Sequence, residues 1–143
     1  MTETGRARRR PRPLSDLTDA YDLLEEVRLR PGMWVRRSSL QHLDSLLTGY
    51  GVSLEIHGVE EEFDFLHTGP FAQWLWKRLD MAYPSALGWA VEIERAAEAA
   101  DVPALELFFD LLDEFRAAHH DVQPQAEHAP HASPEAEQPH PTK

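Results

Sequence analysis

The sequence predicts an all-α protein, a single compact domain of about five helices with a tail at each end. Three observations carry this expectation. Apolar residues recur at three- and four-residue spacing in several separate runs. Pro and Gly punctuate those runs where helices begin or stop. The apolar residues also gather between Leu14 and Phe115, leaving both ends poor in core-forming material. A chain of 143 residues suffices for one ordinary domain. The expected organisation is a disordered basic tail over 1–13, a helical domain over 14–118 and a disordered Pro/His-rich tail over 119–143.

Leu17, Ala20, Tyr21, Leu24 and Val27 share one face of a first helix, with Ser15 or Asp16 placed to cap it. Asp16, Asp19 and Asp22 fall in its early turns, where the helix dipole favours acid. It should stop near Leu29, because Pro31 disfavours helical geometry at Arg30 and Gly32 permits a turn. Met33 and Trp34 would then plug the core.

A second helix is announced by Ser38 and Gln41, spaced as a capping box, ahead of Leu40, Leu43, Leu46, Leu47 and Tyr50. Its end is ambiguous. Gly49 and Gly51 weaken a helix, and Val52, Leu54 and Ile56 alternate as a strand would, yet Leu47, Tyr50 and Leu54 continue the helical stripe. The expectation is helix to about Glu55.

Glu60, Glu61, Glu62 and Asp64, interleaved with Phe63, Phe65 and Leu66, read as a loop anchored by its aromatics. Gly69 and Pro70 open a third helix, whose inner face holds Phe71, Trp74, Leu75 and Arg78, so that Trp76 points elsewhere. Pro84 and Ser85 precede a fourth helix through Leu87, Trp89, Val91, Ile93, Ala96 and Ala97. Asp101 and Pro103 open a fifth, with an apolar stripe of Leu105, Phe108, Phe109, Leu112 and Phe115 opposite Glu106, Asp110, Asp113 and Glu114.

The net charge of -11 is unevenly spread. Residues 1–13 carry +4, residues 14–118 carry -12 and residues 119–143 carry -3. An acidic body repels phosphate backbones and attracts basic surfaces, so the expected partner of the body is a protein such as a basic toxin, and not a nucleic acid. The Arg6 to Arg12 run is expected to be a solvated end or to fold back on the acidic body. No apolar run reaches membrane-spanning length, Pro11 and Pro13 stand where a signal peptide needs apolar residues, and Cys is absent. These features point to a soluble cytoplasmic protein.

Catalytic constellations are not evident. There is no Cys and no Gly-x-Ser-x-Gly elbow, and Ser38 and Ser85 are better placed as helix caps. Carboxylate pairs are so numerous that none is informative. His128 and His131, near His119, His120 and His140, have ligand chemistry but sit in a Pro-broken tail without preformed geometry, and His57 and His67 read as loop residues. No catalytic residue, metal site or cofactor is therefore expected.

The segment Arg30-Pro31-Gly32-Met33-Trp34 resembles, locally, the start of type II topoisomerase ATPase domains, although the Asn/Asp-bearing helix and glycine-rich nucleotide loops of that fold do not follow. Over Tyr21 to Phe115 the chain is similar to a family of small bacterial proteins. They share that turn, then Ser39-Leu40, Gly49-Tyr50, a Phe71 and Trp74-Leu75 helix, Gly88-Trp89 and a closing Phe108-Phe109-Leu112-Phe115 helix. That resemblance implies a domain and assigns no activity. Size, acidity and lack of chemistry are similar to those of immunity proteins that accompany bacterial toxins.

The expected function is thus non-enzymatic partner binding, in its most concrete form immunity-type inhibition of a toxin. Trp76, off the apolar face, is the candidate anchor, since exposed Trp is typical of binding hot spots, unless it packs on another helix or on the Phe63–Leu66 loop. Arg36, Arg37, Lys77 and Arg78 are the candidate basic rim, and Trp34 is a further candidate binding residue. The alternative is a small enzyme or nucleotide-binding module using the Arg30 to Val35 turn.

Overall fold

A computed structural model describes the backbone of residues 9–128 and the side chains of residues 9–119. The fold is all-α, with no strand among the described residues. Helix α1 spans Ala20–Leu29, α2 Pro31–Trp34, α3 Leu40–Ile56, α4 Pro70–Arg78, α5 Trp89–Ala100 and α6 Ala104–His128. Single 3-10 turns occur at Leu14–Asp16 and Arg36–Ser38.

The start of α1 lies beyond both expected caps, because Leu14–Asp16 closes into its own turn and Asp19 takes the cap. The Asp19 carboxylate accepts from the Asp22 N–H at 2.9 Å, and the Asp22 carboxylate accepts from the N–H and hydroxyl of Thr18 at 2.8 and 2.7 Å. Those two Thr18 bonds are the chief reason the Asp22 carboxyl is held below its ordinary range. The helix ends at Leu29, where Pro31 begins the single turn of α2. In that turn Val35 is buried at 2% exposure and Met33 lies outside at 63%, so the core plug is Val35 and not Met33.

Ser39, one residue later than expected, caps α3 by accepting from the His42 N–H at 3.3 Å. Ser38 is held in left-handed backbone (φ 51), and Gln41 donates to Glu94 at 2.7 Å instead of returning to the cap. The helix runs on to Ile56, which settles the helix-or-strand ambiguity. Pro70 opens α4 as expected. Its buried face is Phe71, Ala72, Leu75 and Trp76, a stripe rotated from the expected one. The start of α5 is delayed to Trp89 by Gly88, whose φ of +96 no helix accommodates. Asp101 ends that helix in left-handed backbone, and the Val102 N–H returns to the Ala97 carbonyl at 3.0 Å.

The core is aromatic and centres on Phe71. Its ring lies 5.6 Å from those of Phe65 and Trp89 and 5.8 Å from that of Phe108, and Trp89 stacks on Phe108 at 5.4 Å. The buried indole N–H of Trp89 donates to the Phe65 carbonyl at 3.3 Å, so the largest core side chain leaves no orphaned donor. Arg28 stands over the Phe109 ring at 5.2 Å.

The chain divides into two compact units. Residues 9–109 of the described chain belong to the first and residues 110–128 to the second, with the division inside α6. In the second unit Leu111, Leu112 and Phe115 are buried, and the Phe115 ring lies 4.1 Å from that of His119. The α6 backbone continues past Ala118, where the helical domain was expected to end. Residues 129–143 lie outside the described residues, as do residues 1–8.

The N-terminal arginines are partly settled. Arg9 and Arg12 fold back on α1 and hold Glu26 at 2.8 and 2.9 Å, and the Arg12 N–H adds a third bond at 3.1 Å. Of the two outcomes expected for the arginine run, these two residues take the second and fold back on the acidic body. Glu26 is 2% exposed. Burial alone would raise its pKa, but the Arg9 and Arg12 hydrogen bonds outweigh burial and hold the carboxyl at about 2.

Candidate partner-binding groove

After Ile56 the chain reverses through Gly58 (φ 63), with the Val59 N–H returning to the Leu54 carbonyl at 2.9 Å. From Val59 to Phe65 it forms neither helix nor turn. Four residues of this segment, Glu61, Phe63, Asp64 and Phe65, fix it to the body. Glu61 accepts from the Tyr50 hydroxyl at 2.8 Å and from the Ala20 N–H at 3.0 Å, so one carboxylate joins α3 to the start of α1. Phe63 stacks on Tyr50 at 5.7 Å, and Phe65 is buried against Tyr21 at 5.5 Å. The Tyr21 hydroxyl donates to Asp64 at 2.7 Å. Burial, reinforced by the bond to Glu61, pushes the Tyr50 hydroxyl above its ordinary pKa, so it stays a donor.

What the segment leaves outside is a groove of about 1090 Å³ between itself and the last two turns of α3. Its apolar lining includes Val52, Ile56, Val59 and Leu66, which are 51%, 71%, 52% and 55% exposed. Glu55, Glu60 and Glu62 line the same groove, are exposed and have no side-chain partner among the described residues. Single exposed apolar residues need no explanation, but four around one concavity mark a surface suited to a partner. Their acidic company sets the sign of the charge that fits there.

The residues singled out from sequence fall elsewhere. Trp76 is 8% exposed, so it belongs to the core and is no surface anchor. The reason is that α4 buries two adjacent columns, Phe71 with Leu75 and Ala72 with Trp76, while Trp74 is left half-buried beside Phe71. Lys77, Arg36 and Arg37 are exposed and unpaired among the described residues. Trp34 and Arg36 line a second, open depression of about 530 Å³ with Met33 and His42, and neither Arg30 nor Arg37 lines it. Arg37 (φ 59) and Ser38 (φ 51) are consecutive left-handed residues at its edge in sequence.

Sequence reasoning passed over the groove, although a signal existed. Val52, Ile56 and Val59 follow one another at four and three residues, a second apolar stripe off the face formed by Leu43 and Leu47. His67 meets Asp44 at 3.3 Å; burial raises the pKa of the Asp44 carboxyl and His67 opposes that rise. Among the described residues no group of three His, Asp or Glu side chains is arranged to hold a metal ion, and no helix is long and apolar enough to cross a membrane. The chain matches no protein-family model, no curated protein and no solved structure.

Proposed function

We propose that the protein acts by stoichiometric binding of a basic protein partner, as an immunity-type inhibitor holds a toxin, and that it performs no chemistry itself. The observation that supports this is the groove at Val52, Ile56, Val59 and Leu66 with Glu55, Glu60 and Glu62 around it. Fully covering one such aliphatic side chain contributes on the order of 1.5 kcal/mol, and unpaired carboxylates beside it steer a cationic partner and repel an anionic one. The cysteine-free composition suits a cytoplasmic setting.

Calorimetric titration of the full chain with the protein encoded beside it in the genome tests the reading. One-to-one binding is expected, weakening about tenfold or more between low and high salt and lost in Ile56→Glu. Absence of binding, or binding indifferent to both changes, rejects it. The alternative rests on the depression beside Trp34 and Arg36. A melting shift on adding ATP that disappears in Arg36→Ala would favour that alternative.

A further inference from the structure

We infer that the groove takes an extended segment of the partner, with Lys or Arg at alternate positions, which adds to Glu60–Phe63 as a strand adds to a sheet edge. This rests on the partner-binding reading and specifies how that partner is held.

The backbone accounting is the first reason. Buried main-chain N–H and C=O groups are paired within the protein or with water, and the residues flanking this stretch pair within the protein: Val59 N–H reaches Leu54, and the Asp64 carbonyl accepts from the Phe71 N–H at 3.1 Å. Between them, the main-chain N–H and C=O groups of Glu60, Glu61, Glu62 and Phe63 have no partner among the described residues. Four consecutive residues with open donors and acceptors form a template for strand pairing.

The side chains supply the second reason. They alternate as on a strand: Glu61 and Phe63 turn inward to Tyr50 and Ala20, while Glu60 and Glu62 are exposed. A strand laid alongside would set every second side chain over the apolar lining at Val52, Ile56 and Leu66. The intervening ones would stand opposite Glu60 and Glu62, where cross-strand pairing of opposite charge favours Lys or Arg. A helix satisfies its own backbone and would leave the four open residues unused. The inward anchors also hold the edge in place before binding, which lowers the ordering entropy of association.

Three cationic peptides of about eight residues and equal charge test this against the full chain. The first alternates Lys with Val, the second is that sequence with every backbone nitrogen methylated, and the third places Lys and Leu at helical spacing. The expected result is that the first peptide binds best and slows amide exchange at Glu60–Phe63 about tenfold or more at saturation. Methylation should then weaken binding about tenfold or more, and the Glu60→Gln, Glu62→Gln double variant should weaken the first peptide as well. If the helical peptide binds equally well or better, or methylation changes nothing, strand addition is wrong while partner binding at the groove stands. If none of the three binds, the groove is not a cationic docking site and both readings fall.

Discussion

Phe63 lies so close to Gly51 that a Cβ on the glycine would stand 2.9 Å from the Phe63 Cε2 atom. Gly49, one half-turn earlier in α3, has nothing within 4 Å of the same position. Gly49→Ala should therefore raise stability by about 0.5–1 kcal/mol through helix propensity alone. Gly51→Ala should lose that gain or reverse it, because the ring that seats the acidic segment must move. Urea unfolding of both variants checks the contrast, and equal stabilisation would refute the Phe63 contact.

Glu26 makes stability depend on acid. Its carboxyl is held at about 2 in the folded chain against an ordinary value of 4.5, so the contribution is present above pH 4.5 and is lost as pH falls toward 2. Glu26→Gln should destabilise the protein by roughly 2 kcal/mol at neutral pH, since it removes the charge from a nearly buried carboxylate held by Arg9 and Arg12. It should also flatten the stability curve between pH 5 and pH 2. Chemical denaturation across that range reads both effects.

Among the non-glycine residues in left-handed backbone, Arg37 (φ 59) and Asp101 (φ 61) carry strain that glycine would relieve. Asp101→Gly should stabilise by about 0.5–1 kcal/mol, since that residue closes α5 with its backbone and its side chain has no partner among the described residues. Arg37→Gly should do the same while removing an exposed charge. Thermal melts of the two variants measure the gain.

Trp76→Ala should act on folding and not on recognition. Removing a side chain that is 8% exposed creates a cavity worth roughly 3 kcal/mol or more, whereas Lys77→Ala, one residue on, should change stability by less than about 0.5 kcal/mol. A stable Trp76→Ala protein that has lost partner affinity would return Trp76 to the surface.

Much of the helical order was legible because it is local. Pro70 at the start of α4 and the break after Leu29 follow from what one proline does to its neighbours. The aromatic anchoring of the acidic segment was legible too, through Phe63 and Phe65. The starts of α1 and α3 are harder to read because several cap-forming residues stand within a few positions of one another, and that of α5 because nothing local marks Gly88 as the residue with positive φ. Among Ser15, Asp16 and Asp19 the fold uses Asp19, and between Ser38 and Ser39 it uses Ser39.

By itself the sequence determined the all-α class, the acidic sign of the body and the punctuation of most helices, since charge, periodicity and proline geometry need no distant neighbour. Only the tertiary structure decided which Trp is core, that Arg9 and Arg12 close over Glu26, and that Val52, Ile56, Val59 and Leu66 meet around one groove. Each of these depends on residues up to seventeen positions apart, or on the rotation of a helix about its own axis. A two-column apolar face such as Phe71, Ala72, Leu75 and Trp76 is compatible with several rotations, and the volume available in the aromatic core selects one.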